Sequence, residues 1–469
     1  MKRLVMSIAV ACAVAAPSAQ ADDLKILREE IAQLRKSYEE RISALEARLA
    51  QAEASDKTHK APAEVSGDAR AGSRAPASAG FNPEISLILS GMYTRTTRDP
   101  VQASSDGTGG RERRFQGFLP SNGPFMPEAR SFNLGESELM LAANVDPRFR
   151  GNFKLAIAPD NSLSLEEANV QTLGLGGGLG LKAGRFYSGI GYANEQHPHQ
   201  WDFSDAALPY QAFFGFQQGY DGVQMKWLAP TALWLEIGAE AGRARNFPAT
   251  DDTRNKNGLL SGSLFAHVGG DIGVSQSWRA GLSLLSSKPR DRRYEDLDSV
   301  GNWVTNSFSG RSRTAVADFV WKWAPKGNAS ERSFTFQGEY FRRKESGSLA
   351  HDVDGINLAD AYGSTQSGWY AQGVYRFMPR WRVGYRHDRL STQSMNIGLV
   401  SSGAITAADL PLLAAHQPRR NTLMADWSSS EFARIRLQWA RDDTRPGITD
   451  NQVWLHYIMS LGAHGAHKF

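Results

Sequence analysis

From about residue 81 to the C-terminus the sequence repeats one pattern, segments of roughly ten residues in which apolar and polar side chains alternate. In Tyr220–Leu228, Val223, Met225 and Trp227 share one face and Gln224 and Lys226 the other. In Phe432–Arg441, Ala433, Ile435, Leu437 and Trp439 oppose Arg434, Arg436 and Gln438. In Arg380–Leu390, Trp381, Val383 and Tyr385 oppose Arg382, Gly384 and Arg386. A period of two places successive side chains on opposite faces of a strand. Sixteen such segments can be read: those three with Glu84–Arg95, Phe132–Val145, Phe149–Ala158, Leu165–Gly174, Leu179–Tyr187, Ala232–Gly242, Leu259–Ser275, Ser277–Ser286, Ser312–Trp323, Phe334–Lys344, Gln366–Phe377, Arg419–Ser428 and Asn451–Leu461.

The connections between segments alternate short and long. Short ones hold Asp146-Pro147, Gly176-Gly177-Gly178, Ala229-Pro230-Thr231, Pro325-Lys326-Gly327-Asn328 and Met378-Pro379. Long ones cover 96–131, 186–219, 243–258, 287–311, 345–365, 391–418 and 442–450, with the short Pro159-Asp160-Asn161 link as the exception. Tight turns at one end and long loops at the other belong to membrane barrels of the outer-membrane type. The expected fold is therefore all-β, a 16-stranded antiparallel transmembrane β-barrel. The apolar face of each strand meets lipid, because a barrel this wide cannot bury it inside. Trp227, Trp323, Trp369, Trp381 and Trp427 fit interfacial girdles. A soluble sandwich is the competing architecture, but it has no use for so many strands with polar inner faces. Mean hydropathy is −0.42, and beyond the N-terminus no apolar run reaches the roughly 18–20 residues that a membrane helix needs.

The first residues differ. Lys2 and Arg3, the apolar run Leu4–Ala16 and Ala19-Gln20-Ala21 form a signal peptide over 1–21. The single cysteine, Cys12, falls inside it, so no disulfide or thiolate metal site is expected. Over 22–52, Leu24, Leu27, Ile31, Leu34, Tyr38, Ile42, Leu45 and Leu49 make a heptad seam with one stutter, an N-terminal α-helical coiled-coil segment. A single helix packed on the barrel is the other reading. Residues 53–79 are a flexible linker of Ala, Ser, Pro and Gly, and 80–469 are the barrel. An even strand number puts both barrel ends on one side. That side is periplasmic if the short turns are, and it then holds the coiled coil. The chain ends on Phe469, in keeping with a barrel whose last strand is read by assembly machinery. A net charge of +4 gives no reason to expect a nucleic-acid partner.

The connection 186–219 is too long for a plain turn and too aromatic for disorder, with Tyr187, Tyr192, Trp201, Phe203, Tyr210, Phe213, Phe214 and Phe216. Counting segments makes it the third loop on the long-loop side. Its charges are acidic, Glu195, Asp202 and Asp205, with Arg185 at its base. His197 and His199 flank Pro198, so with Asp202 they could hold Zn²⁺ or Cu²⁺. Alternatively the rings hydrogen-bond to wall or backbone and fix the loop.

The layout resembles the phosphate-selective porin O and P family, locally through Phe81-Asn82-Pro83-Glu84-Ile85-Ser86, Leu134-Gly135-Glu136-Ser137-Glu138-Leu139, Leu181-Lys182-Ala183-Gly184-Arg185-Phe186 and Asp221-Gly222-Val223-Gln224. The His197-Pro198-His199-Gln200-Trp201-Asp202-Phe203 stretch reads as a subgroup feature. The resemblance implies an outer-membrane porin, a homotrimer in outer-membrane lipid that passes small ions. It implies no enzyme activity and no cofactor, and in such porins the third loop folds inward as the pore constriction. Here that loop brings Arg185, Glu195, His197, His199, Trp201, Asp202 and Asp205 to the constriction. Phosphate selectivity needs an excess of lumen cations. Parity gives eleven basic inward positions, including Lys182, Lys226, Arg376, Arg382, Arg386, Arg434 and Arg436, against ten acidic ones. These cations either form one basic wall or pair with acids across the lumen. The functional readings are a passive channel for small hydrophilic solutes such as phosphate, a metal-linked uptake channel using His197 and His199, an outer-membrane enzyme and a structural tether.

Overall fold

In the computed structural model the described residues are 83–98, 115–118, 130–158, 162–244, 247–249 and 257–462. The expected signal peptide (1–21), coiled coil (22–52) and linker (53–79), and Phe469, lie outside the described residues.

Turn chemistry fixes where the strands reverse. Asp146 Oδ1 accepts hydrogen bonds from the Arg148 and Phe149 amides at 2.7 and 2.9 Å, closing the turn between β3 (Ser137–Asn144) and β4 (Phe149–Ile157). Gly176, Gly177 and Gly178 all have positive φ, joining β5 (Leu163–Thr172) to β6 (Leu179–Tyr187). A Cβ on Gly178 would strike the Leu228 backbone, so this turn demands glycine twice over.

The remaining strands are β1 (Glu84–Thr96), β2 (Ser131–Leu134), β7 (Gly219–Leu228), β8 (Trp234–Ala244), β9 (Ser261–Ile272), β10 (Gln276–Ser287), β11 (Arg292–Leu297), β12 (Trp303–Trp323), β13 (Ser333–His351), β14 (Leu358–Met378), β15 (Trp381–Ile397), β16 (Arg419–Ser430), β17 (Ala433–Arg445) and β18 (Ile448–Gly462). Neighbours in sequence pair antiparallel, and β1 closes on β18 from Ser86↔Gly462 to Thr96↔Gln452. β2 and β3 are two parts of one stave, both paired to β1 and interrupted at Gly135-Glu136. β11 pairs with the upper part of β12 and stands outside the ring, whose closure passes from β10 to β12. The barrel therefore has sixteen staves.

The faces separate by chemistry. Leu437 is 54 % exposed on the outer wall, whereas its neighbour Arg436 is 0 % exposed inside. Val223, Met225, Trp227, Trp381, Val383 and Tyr385 are likewise exposed outward. β12 and β14 run for 21 residues each, about twice what a tilted strand needs to cross a bilayer. The excess lies on the long-loop side, where Tyr294, Phe308, Leu349, Tyr362, Leu410 and Leu413 form a separate core. The sequence pattern ends β12 at Ser312 and leaves 287–311 as loop. It misses both the extension and β11, because there polar side chains such as Arg293, Ser309 and Arg311 take the exposed outward positions that apolar residues hold lower down the wall.

Candidate functional site

The 186–219 connection lies inside the barrel. Its centre is helix α1 (Leu208–Phe214), with Pro209 in the first turn and Gly215, at φ 59, closing the C-terminus. All seven helical residues are buried, which an apolar sequence tolerates only when enclosed on every side. Phe213 stacks on Phe341 of β13 with ring centres 5.9 Å apart, and Tyr210 meets the same ring edge-on at 5.0 Å.

The loop backbone is held by carboxylates of the wall. Glu240 on β8 accepts the Gly189 amide at 2.8 Å and the Ser188 hydroxyl. Glu339 on β13 accepts the amides of Tyr192 (3.0 Å) and Ala193 (3.1 Å) and the hydroxyls of Tyr210 (2.9 Å) and Tyr370 (2.5 Å). Asp388 on β15 takes the Leu208 amide at 3.0 Å, and Gln438 on β17 the Ser204 amide at 2.7 Å. Further bonds reach Ser283 on β10 and His456 on β18. The loop is thus tied to staves on opposite sides and crosses the lumen.

Two ionic groups anchor its far end. Asp205 receives Arg386 Nη2 at 2.8 Å, Arg420 Nη1 at 2.5 Å and Gln438 Nε2 at 2.8 Å. Burial opposes its charge, but Arg386 and Arg420 outweigh that and hold Asp205 below the usual carboxylate range. The second group is built around the histidines. His197 Nδ1 lies 3.0 Å from Glu166 and 3.2 Å from Glu138, and its Nε2 2.9 Å from Glu167 and 2.5 Å from Lys154 Nζ. His199 Nδ1 is 2.8 Å from Glu138. Burial disfavours the charged form of both rings. For His197 the surrounding carboxylates, Glu138 first, reverse that and push its pKa well above the ordinary value; for His199 burial prevails and lowers it.

The site residues expected from sequence are distributed as follows. His197 and His199 come together, with rings 5.9 Å apart, but Asp202 stands elsewhere, 2.7 Å from Arg382 Nη1. The ligand atoms that do converge belong to Glu138, Glu166 and His197, all within 4.8 Å of one another. Glu195 pairs with Lys226 at 3.4 Å. The Trp201 indole donates to the Gln196 carbonyl at 2.9 Å. Arg185 forms a 2.7 Å pair with Asp221 on the outer face of β6 and β7, away from the lumen. Arg386 and Arg436 lie beneath the loop at 2 % and 0 % exposure, the latter bonded to Asp426 at 2.8 Å. The remaining wall cations, Lys182, Lys226, Arg376, Arg382 and Arg434, stay partly open near the short turns.

This height sorting is what parity could not supply. Lys154, Lys182, Lys226, Arg279, Lys322, Arg376, Arg382 and Arg434 point inward and remain partly exposed on the short-turn side of the loop. Facing them are Glu167, Glu236 and Asp271 of the wall and Glu195 and Asp202 of the loop. Most of the other inward acids, among them Glu138, Glu240, Glu339, Asp388 and Asp426, are buried under the loop. Among these partly exposed inward groups cations outnumber acids eight to five, although Lys154, Lys226, Arg382 and Arg434 are ion-paired. Between loop and wall a crevice of about 40 Å³ is lined by Trp201, Asp202, Asp205, Gln337, Gln372 and Arg386. Phe203, Phe216 and Ala207 also line it, so its walls are mixed in character, and it has room for only a few waters.

No protein-family model matches the chain. An uncharacterized protein of Aquifex aeolicus is 31 % identical over 415 residues, covering 83 % of this chain and 80 % of that one. Among solved structures, the trimer form of OmpT from Vibrio cholerae overlays with a TM-score of 0.47 at 10 % identity, covering 81 % of this chain and 99 % of that one. The outer-membrane channel DcaP of Acinetobacter baumannii gives 0.47 at 12 % identity, with 82 % and 99 % covered. The anion-selective porin of Comamonas acidovorans gives 0.47 at 9 %, with 81 % and 100 % covered.

Proposed function

We propose that this chain, which belongs to the same family as the uncharacterized Aquifex aeolicus protein, is an outer-membrane channel for passive diffusion of small hydrophilic solutes, favouring anions such as phosphate. The observation that carries the reading is the division of charge by the loop. Acids are used up holding the loop in place, and a ring of partly exposed Lys and Arg is left around the vestibule. Fixed cations in a narrow low-dielectric mouth concentrate anions. The same division favours a channel over an enzyme, since the buried carboxylates Glu240 and Glu339 are occupied by loop amides. Assembly as a homotrimer and an N-terminal periplasmic coiled coil complete the proposal. Purified protein in planar bilayers should give discrete open steps, with a reversal potential of anion-preferring sign under a salt gradient. Folded protein that inserts without conducting would overturn the reading.

The convergence of Glu138, Glu166 and His197 supports a second reading, metal-linked uptake through the loop. Micromolar Zn²⁺ should then block wild type and spare His197→Ala/His199→Ala. An equal response in both removes it.

A further inference from the structure

The loop meets β3 and β5 in an arrangement that ion pairing alone does not explain. Regular alternation would send the adjacent side chains of Glu166 and Glu167 to opposite faces of β5. A register shift intervenes: Lys154 pairs with Glu167 and Leu155 with Leu165, so Glu166 is the extra residue of a bulge. Both carboxylates thereby reach His197, Glu166 at Nδ1 (3.0 Å) and Glu167 at Nε2 (2.9 Å). Bulges re-aim side chains in this way beside functional sites.

The two carboxylates nearest Nδ1 divide their oxygens. Glu138 accepts His199 Nδ1 on Oε1 at 2.8 Å, and Glu166 accepts the Tyr187 hydroxyl on Oε1 at 2.7 Å. In both residues it is Oε2 that turns towards His197 Nδ1, at 3.2 and 3.0 Å. Those distances suit hydrogen bonds, but the directions do not. His197 Nδ1 and Glu138 Oε2 are buried without a hydrogen bond, on side chains 1 % and 0 % exposed. An N–H donor points along the line to its acceptor. A ring nitrogen that shares a cation with two oxygens points between them instead. With ligand bonds of about 2.0–2.2 Å, the donor atoms around one ion then stand roughly 3 Å apart.

Charge favours the same conclusion. Lys154 and a protonated His197 would set two positive charges against four carboxylates, Glu138, Glu166, Glu167 and Glu136, the last of which acts on the same group and buries Oε1 without a hydrogen bond. Buried negative charge in excess is relieved by protons or by a bound cation. The directions at Nδ1 select the cation.

We propose that Glu138 Oε2, Glu166 Oε2 and His197 Nδ1, which lie within 4.8 Å of one another, bind a resident divalent transition-metal cation such as Zn²⁺ that clips the loop to β3 and β5. An imidazole beside two carboxylates suits such an ion better than Mg²⁺ or Ca²⁺. Each ligand has the outer partner that a metal site needs: Glu167 for the His197 Nε2–H, His199 for Glu138 and Tyr187 for Glu166. The cation takes the place of the Nδ1 proton, which passes to solution. The ion is a fixture of the loop and not cargo, so the site goes beyond the uptake reading and stands apart from conduction.

The test uses the full-length protein folded in detergent, loaded with Zn²⁺ and dialysed against metal-free buffer. Elemental analysis reads the metal, and heat-modifiable gel mobility reports the folded barrel. Wild type should keep about one Zn²⁺ per chain, and Glu138→Gln/His197→Ala at least roughly tenfold less. Glu167→Gln leaves all three ligands in place and should weaken Zn²⁺ binding roughly 10–100-fold in competition with a chelator. It carries the test if the double variant does not fold. Unchanged Zn²⁺ binding in the folded variants overturns the proposal, as does a folded wild type that keeps none. Zn²⁺ that blocks current but is lost on dialysis also overturns it, in favour of the uptake reading. A wild type that keeps Zn²⁺ without conducting strikes the channel reading and upholds the site.

Discussion

Replacing Asp205 with alanine is expected to raise single-channel conductance several-fold and to make it fluctuate. Asp205 is the only carboxylate of the loop that is fully enclosed, and it neutralises Arg386 and Arg420 together. Removing one partner from a buried ionic group typically costs about 3–5 kcal/mol, because the remaining charge is left without compensation. Here two guanidiniums lose their shared acceptor while Asp388 and Asp442 still hold them to the wall. The cheapest relief is for water to enter between loop and wall. Residues 199–207 then detach, since the Ser204–Gln438 and Arg386–Asp205 carbonyl bonds lie on the same stretch. Single-channel recording of Asp205→Ala beside Asp205→Asn checks this. Unchanged step size and noise in both would mean that the loop does not need this anchor.

The second large effect is on selectivity. Reversing two vestibule cations, Arg376→Glu with Lys322→Glu, should lower the anion-to-cation permeability ratio about tenfold in dilute salt. Both side chains face inward and are partly exposed, so each reversal acts on the solution a permeating ion meets. The shift should shrink towards 1 M salt, where the screening length falls to about 3 Å. Arg436→Gln is the informative control. It removes a charge of the same sign on the same wall, but one already cancelled by Asp426 under the loop. It should weaken loop docking and leave the reversal potential near that of wild type. If Arg436→Gln moves the potential as far as the double reversal does, charge is not sorted by height as proposed.

Much of the barrel could be read from the chain because lipid on one side and water on the other impose a period of two. The sixteen predicted segments correspond to the sixteen staves, with boundaries shifted by a few residues except at the tops of β12 to β15. The candidate site was less legible. Its groups sit on distant strands, Glu138 on β3, Glu240 on β8 and Glu339 on β13, and no local spacing links them to residues 188–199. Parity says that Arg436 and Arg434 both point inward, yet one is covered and the other partly open. The difference depends on where the loop lies along the barrel axis. Even the pairing of Tyr187 with Glu166 at 2.7 Å depends on a register shift in β5 near that residue, which no alternation announces.

The seam where the first stave, β1, meets β18 bears on how the molecule is assembled. The loop's partners are drawn from β3 at one end of the sheet to β18 at the other. Asp205 finds its partners on the adjacent β15, β16 and β17, whereas His197 and His199 find theirs on β3, β4 and β5. Closing β1 on β18 brings the two sets to face each other across one lumen. Docking of both ends of the loop therefore needs the finished barrel.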